Sequence, residues 1–233
     1  MADVASLITR RKLILGIAAS TVLAGCDSRA ASIFLSGMER WNERFDRLLF
    51  STTRLAPEAP KADLTPDKDF PSYFISDEMP FVPDNWTLKV GGLVAKPSVF
   101  SLDALKAMPS TNMRIRHHCV EGWSAVAAWQ GVQVREIAKM VGARADARYV
   151  EFRSFDADYY SSWDIESAMH PQTILAYGMN GRVLYPDHGA PLRLYSAVKL
   201  GYKCVKYLTE VNFLPNRTGG YWENQGYDWY AGV

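Results

Sequence analysis

Hydrophobic residues recur every three or four positions between residues 31 and 50. The apolar positions at this helical spacing, with charged residues between them, are Phe34, Met38, Trp41, Phe45, Leu48 and Leu49. The pattern predicts an amphipathic helix, which would either pack on a domain or space it from a membrane. The prolines between Leu55 and Phe70 then predict a linker.

Short alternating and short helical patterns follow the linker, without a regular βαβ spacing. Alternation predicts strands at residues 86–90, 113–118, 148–155, 192–197 and 204–213, and turns at Gly91-Gly92 and Asn180-Gly181. Helical spacing predicts helices at residues 102–108, after an N-cap at Ser101, and at 132–141, before a stop at Gly142. This mixture of elements predicts an α+β domain.

The N-terminal residues have the pattern of an export signal. Arg10 and Arg11 precede an apolar run from residue 13 to 24, which is too short to span a bilayer as a stable helix. The paired arginines resemble a twin-arginine (Tat) signal, although an ordinary Sec signal also tolerates them. The run ends in Leu-Ala-Gly-Cys, which resembles a lipobox with Cys26 as the lipidated residue and Asp27 as an inner-membrane retention signal. The alternative is that Cys26 is only a small residue at a cleavage site.

Composition limits the class of protein. The chain has 233 residues, 48% of them hydrophobic, and a formal net charge of +1. This length and composition suffice for one compact domain with a true core. The balanced charge gives no basis for nucleic-acid binding, so we expect no nucleic-acid partner.

The chain has three cysteines, Cys26, Cys119 and Cys204, and no C-x-x-C pair. Cys119 lies in the octapeptide Arg-His-His-Cys-Val-Glu-Gly-Trp of residues 116–123, at the end of a predicted strand. A thiolate is a strong ligand for soft transition metals. The flanking arginine and histidines predict a positive potential that favours the thiolate form. A zinc site, or a disulfide with Cys204 in an oxidising compartment, are the alternatives.

Several motifs, taken in their order along the chain, resemble the molybdopterin domain of the sulfite oxidase family. They are Trp86-x-Leu88-x-Val90-x-Gly92, Ser101-Leu102-Asp103, the Cys119 octapeptide, Trp129-x-Gly131, Pro186-Asp187-His188-Gly189-Ala190-Pro191-Leu192-Arg193 and Lys199-Leu200-Gly201-Tyr202-Lys203. The resemblance covers roughly residues 70–230 and implies an α+β sulfite-oxidase-type fold of mixed short sheets and helices. The chain would comprise an export signal with a lipobox (1–25), an N-terminal helix and linker (26–69) and the molybdopterin-binding domain (70–233).

The resemblance also implies a cofactor and its ligands. Molybdenum would be held by molybdopterin and by the thiolate of Cys119, the catalytic residue. The residues placed on the cofactor are Tyr73, Phe74, Cys119, Ser154, His188, Arg193, Gly201, Tyr202 and Lys203. The cations Arg193 and Lys203, with Lys206 as a further candidate, would face the pterin phosphate. The roles of His117, His118, Asp158 and Tyr160 stay open between tuning the metal, lining a substrate funnel and ordinary strand or surface positions.

Within the family, the Cys-Val-Glu-x-Trp form resembles the branch that contains periplasmic protein-methionine-sulfoxide reductases. This implies two-electron oxygen-atom transfer, with reduction of S-oxides such as methionine sulfoxide as the leading interpretation. Oxidation of sulfite or another small oxyanion, or a non-catalytic tethered binding domain, are the alternatives. The sequence has no C-x-x-C-H haem motif, so a membrane electron donor such as a b-type cytochrome is expected. We expect a monomer, lipid-anchored on the periplasmic side of a bacterial inner membrane.

Overall fold

The structure is a computed structural model that describes residue 38, residues 41–156 and residues 158–233. The chain divides into two compact units, Met1–Leu49 and Phe50–Val233. In the first unit, residues 41–49 are helical, and this confirms the predicted helix over the part described. Its apolar side chains are solvent-exposed, Trp41 by 72% and Leu48 by 78%. The predicted export signal and Cys26 lie outside the described residues. Within the described part, we find no helix of the length and hydropathy needed to cross a membrane.

Two five-stranded sheets form the second unit. The first sheet has the order β2-β1-β10-β5-β6 and consists of β1 (Leu88–Gly92), β2 (Ser98–Phe100), β5 (Tyr149–Ser154), β6 (Tyr160–Asp164) and β10 (Leu208–Leu214). Strands β1 and β10 are parallel, and the other neighbours are antiparallel. The first strand of the domain therefore lies beside the last one.

The second sheet is antiparallel throughout. It has the order β3-β4-β7-β8, with β9 also paired to β7, and consists of β3 (Thr111–His118), β4 (Ser124–Gln133), β7 (Thr173–Met179), β8 (Arg182–Val183) and β9 (Arg193–Ser196). Every residue of β7 is buried. The strand is therefore covered on both faces, which places it at the centre of the domain.

Three short helices connect the strands: α1 (Leu102–Lys106), α2 (Val134–Val141) and α3 (Ile165–Ala168). The predicted cap at Ser101 is confirmed, because its hydroxyl accepts the backbone N–H of Ala104 at 3.2 Å. The predicted stop of α2 is also confirmed, since Gly142 takes the left-handed conformation with φ of 65°. The buried face of α2 packs into the larger apolar core beside the first sheet.

Residues 54–70, which we call the N-terminal strap, are packed against the second sheet although their prolines predict a linker. The backbone N–H of Ala59 donates to the carbonyl of Arg114 at 2.8 Å, and that of Thr65 donates to the carbonyl of Val126 at 3.0 Å. The strap ends at Phe70, which is buried in the second apolar core. Proline has no backbone N–H to donate, so it suits a segment such as the strap that makes only some of the hydrogen bonds of a β-strand.

Two local predictions are wrong. Gly91 and Gly92 belong to β1 rather than to a turn, because β1 continues its parallel pairing with β10 through both residues. The predicted strand at 204–213 begins at Leu208 instead. A 3-10 turn at Gly201–Lys203 and a positive φ of 55° at Tyr207 interrupt the chain before it.

Candidate active site

A cavity of about 270 Å³ opens beside the end of β3. Six stretches of chain supply its walls: the end of the strap with the following loop 71–75, the end of β3 with the turn after it, Asp156 with Tyr159, His188 with Arg193, the segment 201–206, and the C-terminal segment, by which we mean residues 218–232. Its central lining residues are Phe70, Tyr73, Phe74, His117, Cys119, Glu121, Trp123, His188, Arg193, Gly201, Tyr202, Lys206, Trp222 and Tyr227. The wall is therefore aromatic and carries cations and two cysteines, Cys119 and the buried Cys204.

Strand β3 delivers Cys119 to this cavity, as the sequence predicts. A tight turn follows, in which the backbone N–H of Cys119 donates to the carbonyl of Trp123 at 3.0 Å and that of Gly122 donates to the carbonyl of Cys119 at 3.1 Å. Gly122 has a φ of 91°, which suits glycine. The turn leaves the thiol partly exposed at the cavity wall, where it is accessible to a ligand.

The thiol of Cys119 lies 3.6 Å from a carboxylate oxygen of Glu121, and the indole N–H of Trp123 donates to that same oxygen at 2.9 Å. Burial raises the pKa of Cys119, and the Glu121 carboxylate contributes in the same direction. The expectation that flanking positive charge favours the thiolate is therefore wrong for the free protein. Arg116 is paired with Asp63 at 3.4 Å, and burial lowers the pKa of His117 to about 3, so its ring is neutral. A bound metal ion would keep Cys119 in the thiolate form without help from neighbouring positive charges.

Two cations line the cavity without an acidic partner. Arg193 is buried and donates to the carbonyl of His188 at 3.0 Å, and its guanidinium lies 4.9 Å from the Trp129 ring centre. The ammonium of Lys206 donates to the carbonyl of Asp187 at 2.9 Å. In the part of the chain that the structure describes, no carboxylate oxygen lies within 4.0 Å of either cation. Burial therefore lowers the pKa of Lys206 to about 7, and an anion in the cavity would compensate both charges.

Aromatic rings and histidines form one side of the cavity around Phe70. The ring centre of Phe70 lies 5.4 Å from that of His188 and 5.8 Å from that of His117. A Cβ atom added to Gly201 would lie only 2.6 Å from Nε2 of His117. The missing side chain at Gly201 therefore makes room for this ring.

Asp156 fixes the loop that carries Tyr73 and Phe74. Its carboxylate accepts the backbone N–H groups of Ile75 and Ser76 at 2.8 and 3.0 Å, and the Ser76 hydroxyl at 2.5 Å. The hydroxyl of Ser154 in turn accepts the backbone N–H of Asp156 at 2.8 Å. Ser154 thus supports the cavity wall through Asp156.

The structure brings together most of the residues that the resemblance places on the cofactor. Those that line the cavity are Tyr73, Phe74, Cys119, His188, Arg193, Gly201 and Tyr202. Ser154 does not line it, and Lys203 is fully buried with its ammonium paired to Glu223. His117 lines the cavity, whereas His118, Asp158 and Tyr160 do not.

Several residues that line the cavity carry no recognisable signal in the sequence. Phe70 lies at the end of a segment that resembles a linker, and Trp222 and Tyr227 lie far from any recognisable motif. Lys206, which the sequence offers only as a further source of charge, is the lysine that lines the cavity. The sequence alone does not show which of the two ammonium groups, Lys203 or Lys206, turns toward the cavity.

Comparison with known proteins identifies the family. Residues 76–222 match the family described as oxidoreductase molybdopterin binding domain. The chain belongs to this family. The predicted fold class and cofactor are thereby confirmed: the domain is of the sulfite-oxidase type and its cofactor is molybdopterin with molybdenum.

The chain is 39% identical over 216 residues to a protein of Azospira oryzae that bears the provisional name protein-methionine-sulfoxide reductase subunit YedZ1. That match covers 91% of this chain and 82% of the relative. It is 38% identical over 154 residues to the protein-methionine-sulfoxide reductase catalytic subunit MsrP of Xanthomonas axonopodis pv. citri, covering 60% of this chain and 48% of MsrP. The matched region thus spans about half of that MsrP.

A solved structure with the same fold is the sulfane dehydrogenase SoxCD from Paracoccus pantotrophus. The TM-score is 0.62 at 21% identity, over 71% of this chain and 46% of that chain. At this identity the likeness establishes the fold and carries no conclusion about the substrate.

The cavity fits the cofactor of the family. A thiol at its wall can ligate molybdenum, and the two cations without acidic partners, Arg193 and Lys206, can compensate a phosphate. Cys119 would hold the metal, while His188, Tyr202 and the two cations would face the pterin and its phosphate. The chain is therefore a molybdopterin-dependent oxidoreductase of the kind that acts on sulfur compounds.

Proposed function

We propose that this enzyme reduces S-oxides, with methionine sulfoxide as a substrate. The observation that carries this proposal is the Cys119 thiol at the wall of an aromatic cavity with the cations Arg193 and Lys206 beside it. The names of the relatives in Azospira and Xanthomonas support the choice of substrate. The reduction consumes two electrons and two protons and yields a sulfide and water.

The bound cofactor supplies two-electron oxygen-atom transfer, and the protein supplies ligation, orientation and electrostatics. Cys119 would hold the metal at the end of β3, and the rings around Phe70 would form an apolar side of the site. The mouth is lined by Tyr73, which is 63% exposed, and by Trp222, whose ring centre lies 6.2 Å away. Aromatic faces of this kind suit the alkyl part of a sulfoxide.

A steady-state assay tests the direction of the reaction. The purified holoenzyme should oxidise reduced benzyl viologen when methionine sulfoxide is added, and should not reduce ferricyanide when sulfite is added. The reverse result would establish the oxidative alternative. Protein that contains no molybdenum, after expression with cofactor synthesis intact, would contradict an enzymatic role altogether.

The electron donor is proposed to be a membrane b-type cytochrome. Support comes from the sequence, which has no C-x-x-C-H motif, and from the relatives, which are named as subunits. Electrons must then arrive through a partner protein. Quinol-dependent turnover in membranes that contain the enzyme, abolished when the membrane haem protein is deleted, would support this assignment. Turnover that is unchanged by the deletion would refute it.

The proposed location is the periplasmic face of a bacterial inner membrane, after Tat export and lipidation at Cys26. The support is the sequence of residues 9–27, together with the exposed apolar side chains of the helix at 41–49. Replacing Arg10 and Arg11 by lysine should block export of the folded enzyme. Replacing Cys26 by alanine should abolish incorporation of labelled palmitate while leaving export intact. Export that persists in the lysine variant would argue for the Sec route.

A further inference from the structure

Lys199 and Lys203 lie on either side of Gly201 and Tyr202 in the sequence, and neither lysine lines the cavity. The ammonium of Lys199 donates to the carbonyl of Tyr230 at 2.6 Å and lies 3.3 Å from a carboxylate oxygen of Asp164. The ammonium of Lys203 donates to the carbonyls of Trp229 and Ser162 at 2.7 and 3.0 Å. Between these lysines, Gly201 and Tyr202 face the cavity.

The side chain of Lys203 is fully enclosed. Its exposed fraction is 0%, and that of its ion-pair partner, the Glu223 side chain, is 4%. The same carboxylate oxygen of Glu223 accepts the hydroxyl of Ser161 at 2.5 Å. With two carbonyls and one carboxylate as acceptors, all three N–H bonds of the ammonium are used. No donor remains for a phosphate in the cavity.

Two of the three partners of Lys203, Glu223 and Trp229, belong to the C-terminal segment, which supplies two rings of the cavity mouth. The ring centre of Tyr227 lies 5.3 Å from that of Tyr202 and 5.0 Å from that of Trp222. The hydroxyl of Tyr202 donates to the carbonyl of Asp228 at 2.6 Å. The turn at Gly201–Lys203 and the C-terminal segment therefore hold each other in place.

We propose that Lys203 is a positioning residue: through Glu223 it clamps the C-terminal segment, and so fixes the Trp222 and Tyr227 wall of the substrate mouth, instead of binding the cofactor through its side chain. Removing one partner leaves the other charge buried and uncompensated, whereas removing both charges relieves that cost. The two residues should therefore behave as one unit.

Hydrogen exchange with mass-spectrometric detection on the holoenzyme tests the clamp. Lys203→Met and Glu223→Gln should each accelerate exchange of residues 218–232 at least tenfold, with the core strand β7 unchanged. The double variant should exchange no faster than the faster of the two single variants, because both substitutions break the same contact and no unpaired charge is left behind. The exposed pair Glu136 and Lys139, joined at 2.8 Å on α2, gives matched controls: Lys139→Met and Glu136→Gln should leave exchange of residues 218–232 unchanged.

Kinetics separate a positioned mouth from a merely destabilised fold. Glu223→Gln, the milder variant, should raise KM for methionine sulfoxide at least fivefold while kcat falls less than twofold and the molybdenum content stays at the wild-type level. The kinetic test rests on the proposed function, whereas the exchange test does not. A clamp that fails and a proposed function that fails therefore give different results. If Lys203→Met does not fold, Glu223→Gln alone decides.

Unchanged exchange of residues 218–232 in Glu223→Gln would overturn the proposal. Loss of molybdopterin from Lys203→Met without faster exchange would do the same and would make Lys203 a cofactor ligand.

Discussion

The carboxylate of Asp156 accepts the backbone N–H of Ile75 at 2.8 Å. These two residues are far apart in sequence, and their contact ties the end of the first sheet to the loop that forms one wall of the active-site cavity. The carboxylate also accepts two hydrogen bonds from Ser76. It therefore satisfies backbone N–H groups of this loop, as the side chain of an N-cap residue does at the start of a helix. The loop carries Tyr73 and Phe74, so its position determines the shape of the mouth.

Replacing Asp156 by asparagine should loosen this loop. An amide has only one acceptor oxygen for three donors, and a charge-assisted bond is worth about 1.5–3 kcal/mol. We expect the free energy of unfolding to fall by about that amount and proteolysis within residues 71–86 to accelerate. Asp158→Asn is the matched control, since Asp158 is exposed and its φ of 57° suits asparagine. Equal effects of the two substitutions would contradict the role of Asp156.

Loss of the Cys119 thiol should remove the metal site. We expect Cys119→Ala to lower molybdenum-dependent activity more than a hundredfold and to reduce the bound molybdenum measured by plasma mass spectrometry, because a ligand to the reacting metal is lost. Cys204→Ala, at a second cysteine of the cavity wall that is buried and donates to the carbonyl of Leu200 at 3.9 Å, should keep its molybdenum. Full molybdenum-dependent activity in Cys119→Ala would rule out the ligand assignment.

Gly201 approaches the His117 ring so closely that a single added methyl group should disturb this part of the cavity wall. Because an added Cβ would lie 2.6 Å from Nε2 of His117, we expect Gly201→Ala to destabilise the protein by about 1–3 kcal/mol through overpacking. In a His117→Ala background the same substitution should cost less than half as much, since the ring is gone. Denaturant unfolding of the four variants measures this coupling. An additive cycle would show that the contact is unimportant.

The stability of the cofactor-free protein should depend on pH through Lys206. Its pKa is about 7 in the folded chain and 10.5 for an ordinary lysine. Between these values the unfolded chain binds a proton that the folded chain does not, so stability rises with pH across this window. Below about pH 7 the folded protein carries the buried charge and its cost in full.

The variant Lys206→Met should flatten this dependence of the melting temperature. Added pyrophosphate should raise the melting temperature of the wild-type apoprotein more at pH 6 than at pH 9, because Lys206 adds its charge to that of Arg193 only when it is protonated. Lys139→Met, which removes an exposed lysine on α2, should keep the wild-type profile. A wild-type profile in Lys206→Met would show that another group is responsible.

The elements that the sequence predicts correctly are those with an amphipathic face or a defined cap. Helix α2 presents Val134, Ile137 and Val141 to the core, and β3 alternates until it reaches Cys119. Strand β7 was missed because burial on both faces removes the alternation by which a half-exposed strand is recognised. Strand β4 was missed for a similar reason, since its residues 125–127 are consecutively buried.

Some residues of the candidate site are likewise predictable from the sequence, and others are not. Cys119 and Arg193 lie in motifs that fix their identity, and the fold brings them to one cavity. The lysine that lines the cavity could not be chosen from the sequence, because a 3-10 turn at Gly201–Lys203 and a positive φ at Tyr207 break the strand alternation that would otherwise predict the directions of Lys203 and Lys206. Phe70 was hidden for another reason: its burial depends on the strap lying across the second sheet, a long-range contact that no local pattern encodes.

The pairing of β1 with β10 has a consequence for the order of events during synthesis. Strand β1 can take its place only between β2 and β10, and β10 is made about 120 residues later, as the separation of Lys89 and its partner Glu210 shows. Trp222 and Tyr227 leave the ribosome later still. Such non-local pairing is slow to form. A nascent chain therefore has neither a closed first sheet nor a complete cavity, and molybdopterin can be enclosed only after translation of the whole domain has ended.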